Sequence, residues 1–78
     1  MDRKTVFSKV AALAAETLEI DESAITEATR FEDLGADSFD LLELVTTMED
    51  EFGLTLDDDS LAEIASVGDA VDAIENAQ

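Results

Sequence analysis

The chain has 78 residues, 21 of them acidic and 4 basic, which leaves a net charge of −17 at pH 7. Nucleic acid and anionic membrane surfaces repel such a chain, so neither is a partner. With no Cys and no His, a disulfide framework, a zinc–thiolate site, a thiol nucleophile and the usual neutral-pH general base are all excluded.

From the N-terminus, Met1-Asp2-Arg3-Lys4 opens without the pattern of a signal peptide, and no apolar run reaches the ~18 residues of a membrane span. A soluble, cytoplasmic protein is expected. The first helix is predicted over about residues 3–18. Val6, Val10, Leu13 and Thr17 fall on one stripe, with Phe7, Ala14 and Leu18 beside it, and Ala11 to Ala15 hold strong helix formers. The segment from Glu19 to Ala36 reads as a long loop, too long to be idle in a small domain. Ile20, Ile25, Phe31 and Leu34 are expected to pin it to the core.

The second helix is predicted to begin at Asp37 as N-cap, with Asp40 completing a capping box through a shorter acid. Leu41, Leu44, Val45, Met48 and Phe52 form its buried stripe. Gly53 suits the C-cap. A short third helix over about 59–64 presents Leu61 and Ile64. The fourth opens on the capping box Ser66-Val67-Gly68-Asp69 and buries Val67, Ala70, Val71 and Ile74. Nothing alternates with period two, so no sheet is expected. The fold class is all-α: a small four-helix bundle, three longer helices plus one short one, in a single domain over residues 1–78. Leu, Ile, Val and Phe supply 22 of the 78 residues, enough for a core. Self-repulsion makes it marginal, and salt or divalent cations should stabilise it by screening.

The chemistry-bearing stretch is Phe31-Glu32-Asp33-Leu34-Gly35-Ala36-Asp37-Ser38. It reads as a tight turn into a capped helix. Gly35 permits the turn. Ser38 projects from the first helical turn, where backbone N–H groups are free and an anion such as a phosphate is favoured. A helix-capping Asp-Ser pair with no ligand would look the same locally.

Over essentially the whole chain, however, the pattern resembles the acyl carrier protein family. The likeness lies in Asp33-Leu34-Gly35-Ala36-Asp37-Ser38, in Phe39-Asp40 and Glu43-Leu44-Val45, in Glu49-Asp50-Glu51-Phe52-Gly53, and in Val67 to Ile74. The resemblance implies a carrier with no catalytic residues of its own and no specific metal site. It implies that Ser38, with Gly35 and Asp37 as motif neighbours, bears a covalent 4′-phosphopantetheine taken from coenzyme A by a separate synthase. The terminal thiol of that arm then holds acyl groups as thioesters. A carrier chain without Cys is consistent with a thiol supplied by the cofactor.

Two departures stand out. Phe39 occupies a position where the family often has Leu, and Leu56-Asp57-Asp58-Asp59 stands where a Pro commonly precedes the third helix. Phe39, Asp40, Leu42, Glu43, Thr46, Glu49 and Asp50 lie on the outer side of the second helix. The resemblance makes this acidic face with two apolar anchors a docking surface for basic partner enzymes. Those partners are the phosphopantetheinyl transferase (holo-carrier synthase), acyltransferases and ketoacyl synthases, met by a monomer. Val45, Met48, Phe52, Ile64, Ala70 and Val71 are candidates to line an interior for the acyl chain, and ordinary core is the alternative for each.

Other readings fit less well. An EF-hand loop from Asp57 needs Gly at 62 and Glu at 68, where the chain has Ala62 and Gly68. A serine-nucleophile enzyme lacks a His. An unmodified acidic helical interaction module explains the charge but not the Gly35–Ser38 turn. Within the carrier class, Ala36 and the acidity resemble the stand-alone fatty-acid-synthesis type. Carriers for polyketide, aminoacyl or D-alanyl transfer share the same chemistry.

Overall fold

The computed structural model describes residues 2–77. Helix α1 (Arg3–Leu18) is started by Asp2, whose Oδ1 accepts the Thr5 N–H at 2.8 Å. It ends on Glu19 in the left-handed conformation (φ 57°), an uncommon backbone for a non-glycine residue. The buried arc of α1 is Val6, Val10, Ala11 and Ala14. Leu13 and Thr17, expected at its centre, are only half-buried. The reason lies outside the helix: both α2 and α4 pack on α1, so its covered arc is wider than one stripe and is rotated toward the alanines.

Helices α2 (Ser38–Phe52), α3 (Asp58–Glu63) and α4 (Val67–Ala77) follow. In α2, Leu44, Val45 and Met48 are buried, while Leu41 and Phe52 at the two ends of the stripe are half-buried. Gly53 closes the helix at φ 67° and donates its N–H to the Glu49 carbonyl. Helix α3 is set one residue earlier than its pattern suggests. Asp57 caps it by accepting the Ser60 N–H at 2.8 Å, doing at the helix start what the absent Pro cannot. Ile64 then lies just past α3 in an extended conformation and is still buried. The Ser66/Asp69 box at the start of α4 forms as read. Asp69 N–H donates to Ser66 Oγ at 3.2 Å, and Asp69 Oδ2 accepts the Ser66 N–H at 3.1 Å. Val67, Ala70, Val71 and Ile74 are all buried.

The long loop is ordered by two 3-10 turns, Glu22–Ala24 and Phe31–Leu34, which the period analysis does not resolve. Ile25 and Phe31 are buried, with Ile20 and Leu34 packed against them. The loop is stitched to the α3–α4 junction by three backbone bonds. Phe31 N–H donates to the Ala65 carbonyl at 3.0 Å, Val67 N–H to Thr29 at 2.9 Å and Gly68 N–H to Glu27 at 2.8 Å. A Cβ on Gly68 would stand 2.9 Å from the Glu27 carbonyl oxygen, so that approach requires glycine. These bonds produce one isolated bridge, Arg30 to Ser66. Among the described residues there is no strand, and the architecture is the expected all-α bundle.

Candidate functional site

The site is built by the turn that feeds α2. Its polar anchor is the capping box. Asp37 Oδ1 accepts the Asp40 N–H at 2.8 Å and Asp40 Oδ2 accepts the Asp37 N–H at 3.4 Å. Gly35, at φ 80°, donates back to the Phe31–Leu34 turn. No atom would crowd a Cβ there, so glycine is demanded by the backbone conformation, not by space. Ser38 is thereby fixed as the first helical residue and is exposed. Its backbone N–H and that of Phe39 belong to the first turn, where no helix carbonyl reaches them.

Two open depressions flank Ser38. One, of about 410 Å³, runs from Ser38 and Asp37 past Ala36 and Leu41 to Phe31, Ile64 and Arg30. The other, of about 270 Å³, is apolar and lies between α2 and α3, against Leu41, Leu42, Val45 and Leu61. Ser38 and Leu41 form the ridge they share. Beyond the ridge, Phe39 is 72 % and Leu42 56 % exposed, the two large apolar side chains left to solvent among the described residues.

The outer face of α2 is not uniform. Glu43 and Asp50 are exposed. Thr46 is exposed too, but its hydroxyl is turned back onto the Leu42 carbonyl at 2.9 Å. Asp40 is half-buried in the capping box. Glu49 faces away from the others, since its Oε2 accepts the Leu56 N–H at 2.6 Å and straps the α2–α3 loop. Of the residues put forward to line an interior, Val45, Met48, Ile64, Ala70 and Val71 are buried. Phe52 is half-buried, with the Lys9 ammonium 5.9 Å from its ring centre. Only Val45 and Ile64 of this set reach the depressions beside Ser38. Arg30 is the wall residue that pattern reading missed. Its one signal is position: it is the last base before a stretch of 15 acids and none of the opposite sign.

This geometry offers an accessible hydroxyl with no activating partner among the described residues. The chain has no His or Cys to serve it, so Ser38 is suited to be acted on by another protein.

The model of the phosphopantetheine attachment site family matches residues 8–74. The chain belongs to the acyl carrier protein family. The acyl carrier protein of Thermotoga maritima is 49 % identical over 94 % of this chain and 91 % of its own length. That of Lactobacillus acidophilus is 44 % identical over 100 % and 99 %. Among solved structures, the acyl carrier protein of Enterococcus faecalis superposes with a TM-score of 0.81 at 35 % identity, covering both chains fully. A crystal structure of the T. maritima protein gives 0.85 at 34 %, covering 99 % of this chain and 91 % of that one. The molecule is thus a carrier of acyl chains and not itself a catalyst, and its prosthetic group is a covalently attached 4′-phosphopantetheine. Fatty acid synthesis is the usual role of such carriers. No helix among the described residues is long and apolar enough to cross a membrane.

Proposed function

We propose that Ser38 is the attachment residue and that the chain shuttles acyl thioesters in fatty acid biosynthesis as one carrier domain spanning residues 1–78. The observation that carries this is the exposed Ser38 hydroxyl on the first turn of α2, at the meeting point of two open grooves. The residues present suit the group. The first-turn amides favour the phosphate, the turn leaves room for the arm, and a chain without Cys obtains its thiol from the cofactor. When bound, that group supplies the terminal thiol on which acyl chains are held as thioesters. The chain's part is to present Ser38 Oγ, which gives up its proton as it becomes bonded to phosphorus, while the pyrophosphate bond of coenzyme A breaks and adenosine 3′,5′-bisphosphate leaves. The partner transferase must take that proton, because no neutral-pH base of the carrier is available.

Docking follows the same reading. Phe39 and Leu42 serve as apolar anchors. Asp40, Glu43, Thr46 and Asp50 surround them, and Glu49 adds charge while strapping the loop. Such a face suits basic patches on the phosphopantetheinyl transferase, acyltransferases and ketoacyl synthases, with encounter speeded by opposite charge. A cytoplasmic monomer suits such shuttling. Attached cargo turns each delivery into a near-intramolecular reaction once the carrier docks.

The test is the intact mass after incubation with coenzyme A and a broad phosphopantetheinyl transferase. Wild type is expected to gain one phosphopantetheine and Ser38→Ala none, with helix content unchanged between them. Loading of the alanine variant would move the site elsewhere. For the face, Glu43→Lys is expected to slow loading most at low salt; equal rates at all ionic strengths would remove Glu43 from docking.

A further inference from the structure

We propose that Arg30 is the counter-ion of the arm's phosphodiester, and that the groove from Ser38 to Ile64 and Ala65 is where the proximal part of the arm rests. The inference depends on Ser38 as the attachment residue and adds to it which of the two grooves the arm uses.

The argument begins with charge. A phosphodiester on Ser38 adds a negative charge beside the Asp37–Asp40 capping box, in a stretch of chain (31–78) that carries 15 acids and no base. The four bases of the chain are unequal in their freedom to answer it. Arg3 is held by three acids, Glu27, Asp72 and Glu75. Lys4 and Lys9 lie on α1, and Lys9 faces Glu51 at 3.7 Å. Arg30 alone borders a groove that opens at Ser38. Its own pairing is loose: Nη2 stands 3.3 Å from Glu32 Oε1, and both side chains are more than half exposed. Such a pair is worth little, so the guanidinium is free to turn toward a stronger partner. Arginine is also the side chain best suited to a phosphate, because its fork of donors matches two oxygens at once.

The groove itself supports the assignment. Phe31, Ala36, Leu41 and Ile64 give it an apolar floor for methyl and methylene groups, and Arg30, Glu32 and Asp37 give it a polar rim for amides. The opposite depression, between α2 and α3, is lined by Ser38 and apolar side chains only. No cationic side chain lines it. The two grooves therefore divide by chemistry: phosphate and amides toward Arg30, hydrocarbon toward Leu42, Val45 and Leu61.

The experiment compares amide chemical shifts of the apo and phosphopantetheinylated forms in wild type, Arg30→Gln and Arg30→Lys. Loading of each is first verified by mass, and the apo spectra confirm that the variants fold alike. In wild type, loading is expected to shift Phe31, Ile64 and Ala65 as well as the neighbours of Ser38, and to move the phosphorus-31 resonance away from that of free phosphopantetheine. In Arg30→Gln the shifts at Phe31, Ile64 and Ala65 should shrink roughly two- to five-fold, the population change that one exposed charge contact produces. High salt should reduce them likewise in wild type, and Arg30→Lys should retain part of them. Fully loaded Arg30→Gln with shifts equal to wild type overturns the role of Arg30 while leaving Ser38 in place. Shifts confined to Ser38–Leu42 in wild type overturn the groove. No mass gain on folded wild-type protein removes the attachment residue and this inference with it.

Discussion

The face between α1 and α4 and the end that carries Ser38 are built to different standards. Val6, Val10, Ala11 and Ala14 meet Val67, Ala70, Val71 and Ile74 in a continuous buried layer. Arg3 closes its edge by binding Asp72 and Glu75 of α4 and Glu27 of the loop. At the other end, α3 is six residues long and buries none of its own side chains, and Phe39 and Leu42 stand in solvent. The site there is held by caps and turns: Asp37, Gly35, Asp57 and the Glu49 strap. A shuttle has to offer one side chain to several enzymes in turn. Under the proposed function, burial concentrated on the far face and local hydrogen bonds shaping the Ser38 end suit that need.

The contrast can be broken from the buried side first. Ile74→Ala removes a fully buried side chain from α4 and is expected to cost about 2–5 kcal/mol. That is most of the stability of so small a domain. Leu61→Ala on half-buried α3 should cost under about half as much. Urea denaturation of the pair decides, and equal losses would erase the distinction.

Next in size is Gly68→Ala. The added Cβ meets the Glu27 carbonyl oxygen at 2.9 Å, and that same oxygen accepts the Gly68 N–H at 2.8 Å. A loss of about 1–3 kcal/mol is expected from overpacking. Amide exchange should report the opening of the loop at Glu27 and Thr29.

Arg3→Gln comes third. The three pairs it makes hold the guanidinium firmly protonated, with the bonds to Glu27 and Asp72 contributing most. They are nonetheless partly solvent-exposed, so only a small drop in melting temperature is expected, and chiefly at low ionic strength. Salt should narrow the gap between variant and wild type. A gap that does not respond to salt would mean that Arg3 acts through packing instead of charge.

The smallest effect is in pH. Asp57 and Asp69 accept backbone N–H bonds, from Ser60 and chiefly from Ala65, which hold both carboxyls below the ordinary 3.8. The unfolded chain therefore takes up these protons first. Their contribution is complete above the ordinary value and is lost as the pH drops through the folded ones. Relief of self-repulsion among the 21 acids acts in the opposite sense on the way down from neutrality. The melting temperature is expected to rise from pH 7 toward about pH 5 and to fall below about pH 3.5. Asp57→Asn should flatten the acid limb. A melting temperature that declines steadily from pH 7 would show that self-repulsion is not limiting.

What could be read in advance was whatever depends on neighbours within one or two turns of chain. The α2 and α4 stripes, the Ser66/Asp69 and Asp37/Asp40 boxes and the Gly35–Ser38 turn are of this kind, because capping and periodicity are satisfied inside a few residues. The all-α class followed from them, and the turn proposed for attachment was legible as a resemblance for the same reason. The loop fared differently. Its hydrophobic anchors Ile25 and Phe31 were evident, but its two 3-10 turns are too short to show a helical period, and its backbone bonds to Ala65 and Val67 join positions far apart in the chain.

Tertiary structure alone decided the rest. The buried arc of α1 was set by having two helices against it, so Ala11 and Ala14 displaced Leu13 and Thr17 from the centre. Glu49 and Gly68 took their tasks from a loop amide and a loop carbonyl that no local pattern announces. Arg30 reached the wall of the Ser38 groove only because the loop is sewn to the α3–α4 junction. Composition and local pattern determined a strongly acidic helical chain with Ser38 at the start of a capped helix. Which charges stand near that serine depends on contacts between distant segments, and those are settled when the core closes.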